Sequence, residues 1–96
     1  MGRPESTSYA AARARGDEGV IVLWRPGCTF CQRLALSLRR ESHGAAWVNI
    51  WDDDEARAFV RSVNDGNETV PTVVIAGVAH TNPPPSVVRR ALAATG

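Results

Sequence analysis

The sequence has no lysine, and all eleven of its cationic residues are arginine. Ten acidic residues almost balance them, which leaves a net charge of +1 over 96 residues. No stripe of basic residues with interleaved aromatic residues runs along the chain, so the electrostatic footprint of a nucleic-acid-binding protein is missing. The charge pattern therefore predicts no nucleic-acid partner.

Long apolar runs are missing as well. No segment approaches the roughly 18 apolar residues that a membrane span needs, and the polar N-terminal region has no apolar stretch of signal-peptide length. We therefore expect a cytoplasmic protein with no membrane partner. Residues 1–19 show no clear periodicity and end in turn-forming residues, so we expect an N-terminal extension that is flexible or peripheral and lies outside the core. Residues 20–96 suit one compact domain.

Apolar and amphipathic segments alternate along the rest of the chain. The β-branched run Val20–Trp24 is bounded by glycine and proline, which is typical of a buried strand. From Cys28 onward the apolar residues recur at helical spacing. The remaining segments predict a strand over 45–51, a helix with a capping box at Asp52 and Glu55, strands over 72–76 and Val78–Thr81, and a helix over 86–95.

The resulting order, β-α-β-α-β-β-α, predicts an α/β fold with one central mixed four-stranded sheet and three helices. The first two strands are joined through a helix, which favours a right-handed parallel unit. The last two strands are separated by a short turn at Gly77, which favours a hairpin.

Cysteine is scarce: the chain has two, Cys28 and Cys31, in a C-x-x-C pattern at the start of the first predicted helix. Residues three apart on a helix lie about 5–6 Å apart, within the range that a disulfide can bridge. Cys28 falls at the exposed tip, where free N–H groups and the helix dipole stabilise a thiolate, and Cys31 lies one turn deeper. Cys28 can attack a disulfide to give a mixed disulfide, which Cys31 or an outside thiol then releases. We predict a thiol–disulfide oxidoreductase with both cysteines as catalytic residues.

Three less favoured interpretations of the cysteines stay open. A structural zinc site needs about four ligands, and only His43 and His80 could join them, at spacings unlike any zinc finger, so we predict no metal site. A structural disulfide that closes so small a loop adds little to the stability of the fold, and the cytoplasm keeps thiols reduced. Two inert thiols, with Cys31 in the core, are the third alternative.

A wider pattern carries a resemblance. The strand, C-x-x-C helix, strand, helix, "TVP" and hairpin together resemble the glutaredoxin branch of the thioredoxin fold over residues 20–94. The stretch 59–84, with "SVNDGNETVPTV" and "TNP", is similar to the mycoredoxins, the actinobacterial glutaredoxin-like family. The resemblance implies a cis Val70–Pro71 bond, with the Val70 backbone pairing with the peptide-like part of a bound thiol. It also implies Cys28 as nucleophile and Cys31 as resolving thiol.

The same resemblance implies mycothiol as a low-molecular-weight co-substrate and no tightly bound cofactor. Cys28 would take over the mycothiol from a mycothiolated or disulfide-containing protein, and a second mycothiol would free Cys28. Thr81 and Asn82 stand where glutaredoxins carry an acidic residue that holds the glutathione amino end, which counts against glutathione. The expected thiol-binding residues are Arg25, Phe30, Val70, Pro71, Thr81 and Asn82.

Two alternative functions accompany this hypothesis. The first is a dithiol redoxin that carries electrons from thioredoxin reductase, for example to ribonucleotide reductase, and the retention of Cys31 makes it possible. The second is a module that binds an iron–sulfur cluster between two subunits. Glutaredoxins that do so mostly have a lone cysteine with small flanking residues, so Phe30 and Cys31 argue against the cluster.

Overall fold

The computed structural model describes residues 8–14, 19–38 and 45–95; His43 lies outside them. None of the described helices is long and apolar enough to cross a bilayer. From the first strand onward the element order is the predicted one, and one further helix of the described residues precedes it. The described elements are α1 (Tyr9–Ala14), β1 (Val20–Trp24), α2 (Thr29–Ser37), β2 (Ala45–Asn49), α3 (Asp54–Val63), β3 (Thr72–Ile75), β4 (Val78–Thr81) and α4 (Pro85–Thr95).

The strands form a mixed sheet in the order β2-β1-β3-β4. β1 pairs in parallel with β2, and the β1–β3 and β3–β4 pairs are antiparallel, so the predicted parallel unit and hairpin are confirmed. The hairpin turns through Ala76 and Gly77, whose φ angles are +51° and +82°. Two-residue hairpin loops need such positive φ values to match the twist of the strands. Because β1 is an inner strand, the helix that follows it starts at the middle of the sheet.

Helices cover both faces of the sheet, because successive strand residues point to opposite sides. On one face Val22 and Val73 pack against α2 and α4, and on the other face Leu23 and Val48 pack against α1 and α3. The apolar stripes predicted for the helices are buried in these two layers. They include Cys31, Leu34 and Leu38 from α2, Ala56 and Val60 from α3, and Val88 and Leu92 from α4.

Helix α1 differs from the expectation that the N-terminal segment lies outside the core. Tyr9 and Ala12 are 6% and 1% exposed, and both belong to the core layer on the α3 side of the sheet. The Tyr9 ring stacks on Phe59 with 5.5 Å between the ring centroids. For the part of the segment that forms α1, the expected peripheral position is therefore wrong. The division of the chain at residue 19 stays a prediction.

Asp53 holds α1 and α3 together. Its Oδ1 accepts a hydrogen bond from the Ala56 N–H at 3.0 Å, which makes Asp53 the N-cap of α3. The capping box expected at Asp52 and Glu55 is therefore wrong by one residue. The other oxygen, Oδ2, accepts from the Tyr9 N–H at 2.7 Å. One carboxylate thus satisfies free N–H groups at the starts of two helices.

Strand β2 ends two residues earlier than expected because Asn49 turns the chain. Its Oδ1 accepts from the Trp51 N–H at 2.9 Å, and its carbonyl oxygen accepts from the Asp52 N–H at 3.2 Å. Asparagine side chains favour such turns by bonding to the backbone two residues later. Ile50 stays buried, while Trp51 is turned outward and is 52% exposed.

Candidate active site

The turn between β1 and α2 places a sulfur atom at the start of a helix. Pro26 and Gly27 form the turn, and Gly27 has a φ of +79°, which a residue with a Cβ adopts only with strain. Cys28 follows as the N-cap of α2, and its Sγ accepts a hydrogen bond from the Cys31 N–H at 3.2 Å. This position is usually filled by a side chain with an oxygen acceptor. Here the sulfur takes that role.

The N-cap position stabilises negative charge on the Cys28 sulfur. The first N–H groups of a helix have no acceptor within the helix, and the positive end of the helix dipole lies there. One of those N–H groups, from Cys31, already points at the sulfur. The local structure therefore equips Cys28 as a nucleophile, since the thiolate is the reactive form of cysteine.

Both cysteines are free thiols, and both are buried. Cys28 is 6% exposed and Cys31 is 3% exposed. Cys28 is therefore less exposed than its expected place at an exposed helix tip implied. Burial, followed by the hydrogen bond with Cys28, raises the pKa of the Cys31 thiol from 9.0 to about 12, although the Arg25 backbone and charge act in the opposite direction. At neutral pH Cys31 keeps its proton, which makes it a weak nucleophile.

In the Cys28→Ser variant the remaining thiol is expected to resist alkylation by iodoacetamide. The rate constant should rise with pH without levelling off at pH 9, because burial, the largest cause of the raised pKa of Cys31, persists without the Cys28 sulfur and only the thiolate reacts. The raised pKa also means that the stability contributed by this group is present below pH 9 and is lost as the pH rises toward 12. The same variant in concentrated urea is the control, and its profile should level off above pH 9. A native profile identical to the urea profile would contradict the burial of Cys31.

The segment before β3 lies against the nucleophile. The Val70–Pro71 peptide bond is cis, as the resemblance implies. The Val70 carbonyl oxygen accepts from the Cys28 thiol at an S···O distance of 3.7 Å. Pro71 is buried, and Val70 packs against both core layers. The structure therefore brings together four of the predicted site residues, the two cysteines and the Val70–Pro71 pair.

Arg25 lies beside the thiol pair. Its guanidinium group is 5.9 Å from the centre of the Trp51 ring, and its Nη1 donates to the Pro26 carbonyl oxygen at 3.4 Å. Its positive charge acts on Cys31 by lowering the pKa of that thiol, against the larger effect of burial. The Trp51 indole is half-exposed, so it lies outside the core.

Phe30, between the two cysteines in the sequence, is 54% exposed. The Arg33 guanidinium lies 5.9 Å from the centre of its ring. A second arginine–aromatic pair is thus carried by the helix that starts at Cys28. Exposed aromatic rings beside arginines are typical of surfaces that bind other molecules.

Thr81 and Asn82 follow one another at the end of β4, and the Thr81 side chain is turned away from the sulfur. Thr81 pairs with Thr72, so both side chains lie on the α3 face of the sheet, opposite to α2. The Thr81 hydroxyl donates to Asn64 Oδ1 at 2.6 Å. The Asn82 N–H donates to the Pro71 carbonyl oxygen at 2.7 Å, so the contact of Asn82 with the site is made by its backbone.

Asn64 is a residue that sequence reasoning missed. It lies just after α3, and its side-chain amide reaches both Thr72 and Thr81. The sequence around it, "NDG", indicated only the end of a helix. The signal that could have found it is the repeat of hydroxyl and amide residues in "SVNDGNETVPTV", since such side chains form hydrogen bonds when they are brought together.

Within residues 8–14, 19–38 and 45–95, no group of three or more histidine, cysteine, aspartate or glutamate side chains could hold a metal ion. The reactive groups that this geometry brings together are the two thiols. A nucleophilic sulfur at a helix N-cap lies 3.7 Å from the Val70 carbonyl oxygen, with a protonated second thiol one turn deeper. This is the arrangement of a thiol–disulfide redoxin.

Comparisons with known proteins agree with this class. The whole fold is similar to the crystal structure of a thioredoxin from Malassezia sympodialis, with a TM-score of 0.58 over 99% of this chain and 96% of that chain. The sequence identity is 17%, so the likeness shows the fold alone. Mycoredoxin 1 of Corynebacterium glutamicum is 39% identical over 57 residues, which are 58% of this chain and 70% of the relative. The profile of the glutaredoxin family matches residues 20–80.

The chain therefore belongs to the glutaredoxin family, and it has the thioredoxin fold. The matched region contains Cys28, Cys31, Val70 and Pro71, together with the four strands apart from the last residue of β4. Membership and site geometry together define a redoxin that acts on thiols and disulfides.

Proposed function

We propose that this redoxin reduces mixed disulfides between mycothiol and proteins, with Cys28 as the nucleophile. The observation that carries the proposal is the Cys28 sulfur, which sits at the N-cap of α2 and against the Val70 carbonyl. The 39% identity to Mycoredoxin 1 supports the choice of mycothiol as the low-molecular-weight thiol.

The reaction proceeds by two exchange steps. The Cys28 thiolate attacks the mycothiol sulfur of the mixed disulfide, so an S–S bond forms between Cys28 and mycothiol and the protein thiolate leaves and takes up a proton. A second mycothiol, as its thiolate, then attacks the mycothiol sulfur held by Cys28. Mycothiol disulfide leaves, and Cys28 is again a thiolate. NADPH supplies the two electrons through the reductase of mycothiol disulfide.

The residues around the sulfur have distinct parts in this cycle. The Cys31 N–H stabilises the Cys28 thiolate each time it forms. The Val70 backbone pairs with the amide groups of the bound thiol, and Arg25 and Phe30 border the site with positive charge and exposed apolar surface. Thr81 and Asn82 carry no carboxylate for a free amino group, which supports mycothiol over glutathione, because mycothiol lacks the γ-glutamyl amine.

The Cys31 thiol resolves the intermediate when no second mycothiol is available. It would attack the Cys28 sulfur, release mycothiol and leave a Cys28–Cys31 disulfide, which two electrons from outside must then reduce. The raised pKa of Cys31 makes this route slow at neutral pH.

Both the mycothiol pool and these electron supplies belong to the cytoplasm, which is the proposed location.

A comparison of electron supplies tests the function. Reduction of a mycothiolated protein is followed by NADPH oxidation with wild-type redoxin and either mycothiol and its disulfide reductase, glutathione and its reductase, or thioredoxin reductase alone. We expect turnover with the mycothiol supply and at least about tenfold less with the others.

Turnover with thioredoxin reductase alone would instead support the second candidate, a dithiol electron carrier. That candidate is favoured by one observation, the closeness of two free thiols, with the Cys31 N–H bonded to the Cys28 sulfur.

A further inference from the structure

A directional chain of hydrogen bonds runs from the end of β4 to the peptide before Val70. The Thr81 hydroxyl donates to Asn64 Oδ1 at 2.6 Å, and Asn64 Nδ2 donates to Thr72 Oγ1 at 3.2 Å. The Thr72 hydroxyl then donates to the Thr69 carbonyl oxygen at 2.8 Å. We call this chain of Thr81, Asn64, Thr72 and Thr69 the Asn64 relay.

The direction of the relay is fixed by its two ends. Asn64 Nδ2 also donates to the Val60 carbonyl oxygen at 2.8 Å, and a carbonyl can only accept, so this atom must be the amide nitrogen. At the other end the Thr69 carbonyl can only accept, so Thr72 must donate to it. Thr72 is fully buried, and an unpaired polar group there would cost free energy. Each hydrogen bond of the relay therefore determines the orientation of the next.

The Asn64 relay orients the Thr69–Val70 peptide, which directly precedes the Val70 carbonyl beside Cys28. The Thr69–Val70 bond is trans, since Val70–Pro71 is the cis bond of the described residues. In a trans peptide the C=O and the N–H point in opposite directions. Because the Thr69 carbonyl is drawn to Thr72 on the α3 side, the Val70 N–H points away from that side.

The next two backbone groups are held as well. The Val70 carbonyl oxygen lies 3.7 Å from the Cys28 sulfur. The Pro71 carbonyl oxygen accepts from the Asn82 N–H at 2.7 Å. Hydrogen bonds thus hold the backbone on both sides of Val70, whose carbonyl lies beside the sulfur. A backbone N–H and C=O held in this way can pair with an extended peptide through main-chain hydrogen bonds.

We propose that Asn64 and Thr72 are positioning residues that make the redoxin selective for thiols with amide groups on both sides of the reacting cysteine. They act through the Val70 backbone and touch neither the sulfur nor the substrate. The inference rests on the proposed function for its use of Cys28, but it concerns which disulfides are favoured rather than which thiol supplies electrons. A disulfide without amide groups cannot form hydrogen bonds with the Val70 backbone, so the relay should not affect the rate of its reduction.

Thr72 offers a matched pair of variants. Thr72→Val keeps the volume of the side chain and removes the hydroxyl, and Thr72→Ser keeps the hydroxyl. The test compares the second-order rate constants with which pre-reduced protein reduces two probes, the disulfide of N-acetylcysteine methylamide and hydroxyethyl disulfide. For Thr72→Val we expect about a tenfold loss with the amide probe, the equivalent of one or two hydrogen bonds. The loss with hydroxyethyl disulfide should stay below about twofold, and Thr72→Ser should behave as the wild type with both probes.

If these hydrogen bonds only support the fold, their loss should slow the reduction of both probes equally. That result would overturn the proposal, and so would unchanged rate constants with both probes. Thr81→Val is the second variant, because Thr81 is exposed and its substitution leaves the core intact. It removes the first donor of the relay and should cause a smaller loss, about twofold to threefold, again with the amide probe alone. Two variants with no such selectivity would contradict the role of the relay.

A binding measurement separates this inference from the proposed function. If the wild type reduces neither probe, the proposed function fails. The relay is then judged by NMR with the S-methyl derivative of N-acetylcysteine methylamide, which cannot react. Its addition should shift the Val70 amide signal in the wild type and in Thr72→Ser, but not in Thr72→Val. Equal shifts in all three proteins, or no shift in the wild type, would overturn the inference.

Discussion

Replacing Cys28 with serine is expected to lower the rate of mixed-disulfide reduction by at least about a thousandfold, because the reacting sulfur is removed. Replacing Cys31 with serine is expected to leave the rate within about threefold of wild type when mycothiol is the electron donor. The contrast follows from the geometry: Cys31 supports the nucleophile through its backbone N–H, at 3.2 Å from the Cys28 sulfur, and serine retains that group.

Serine is also a well-matched replacement at position 28. It is among the preferred N-cap residues, so the Cys28→Ser variant would still accept a hydrogen bond from the Cys31 N–H and the start of α2 would be preserved. Loss of activity would then report the loss of sulfur rather than of the helix. Far-ultraviolet circular dichroism and the urea unfolding midpoint serve as controls for the fold.

The outcome distinguishes two mechanisms. Full activity of Cys31→Ser with mycothiol indicates that an outside thiol frees Cys28, in agreement with a Cys31 thiol whose pKa is raised to about 12. Inactivity of both variants would contradict the monothiol cycle and indicate a dithiol carrier. Activity of Cys28→Ser would contradict the assignment of the nucleophile.

The parts of the site that the sequence predicted depend on local chemistry. The C-x-x-C pattern follows an apolar strand and begins an amphipathic stretch, and those features alone place Cys28 at a helix start. Val70 and Pro71 could be placed near Cys28 because β1 and β3 are antiparallel, so the start of β3 lies at the same end of the sheet as the end of β1. Neither inference needed contacts between distant side chains.

The parts that the sequence did not predict depend on such contacts. Thr81 stands beside Asn82 at the hairpin end, but the pairing of Thr81 with Thr72 decides that its side chain lies on the α3 face. Cys28 is buried in the hydrophobic cluster that also contains residues of α4 and the sheet, and no local pattern specifies that packing. Asn64 gains its role from partners eight and seventeen residues away.

Helix α1 is the clearest case of this limit. Its six residues are too few to be stable alone, and its apolar pattern is short. What holds it is the Asp53 carboxylate, 44 residues away in sequence, together with the stacking of Tyr9 on Phe59. A segment that depends on tertiary contacts cannot be told from a flexible extension by its own sequence.

Ala12→Asp is therefore expected to destabilise the protein by about 3 kcal/mol or more, because it places an unpaired carboxylate in the core. Ala12 is 1% exposed, and it packs in the hydrophobic cluster on the α3 face of the sheet together with Leu23 and Val48. The matched control is Ala11→Asp on the exposed face of the same helix, which should change stability by less than about 0.5 kcal/mol.

Urea unfolding followed by tryptophan fluorescence measures both variants, and the difference between them isolates burial from helix propensity and charge. A large loss confined to Ala12→Asp would show that α1 is a structural part of the domain, since so small a core has a stability of only about 5–15 kcal/mol to lose. Equal midpoints for the two variants would mean that α1 does not cover the sheet in solution, and the boundary expected near residue 19 would then separate a peripheral extension from the redoxin.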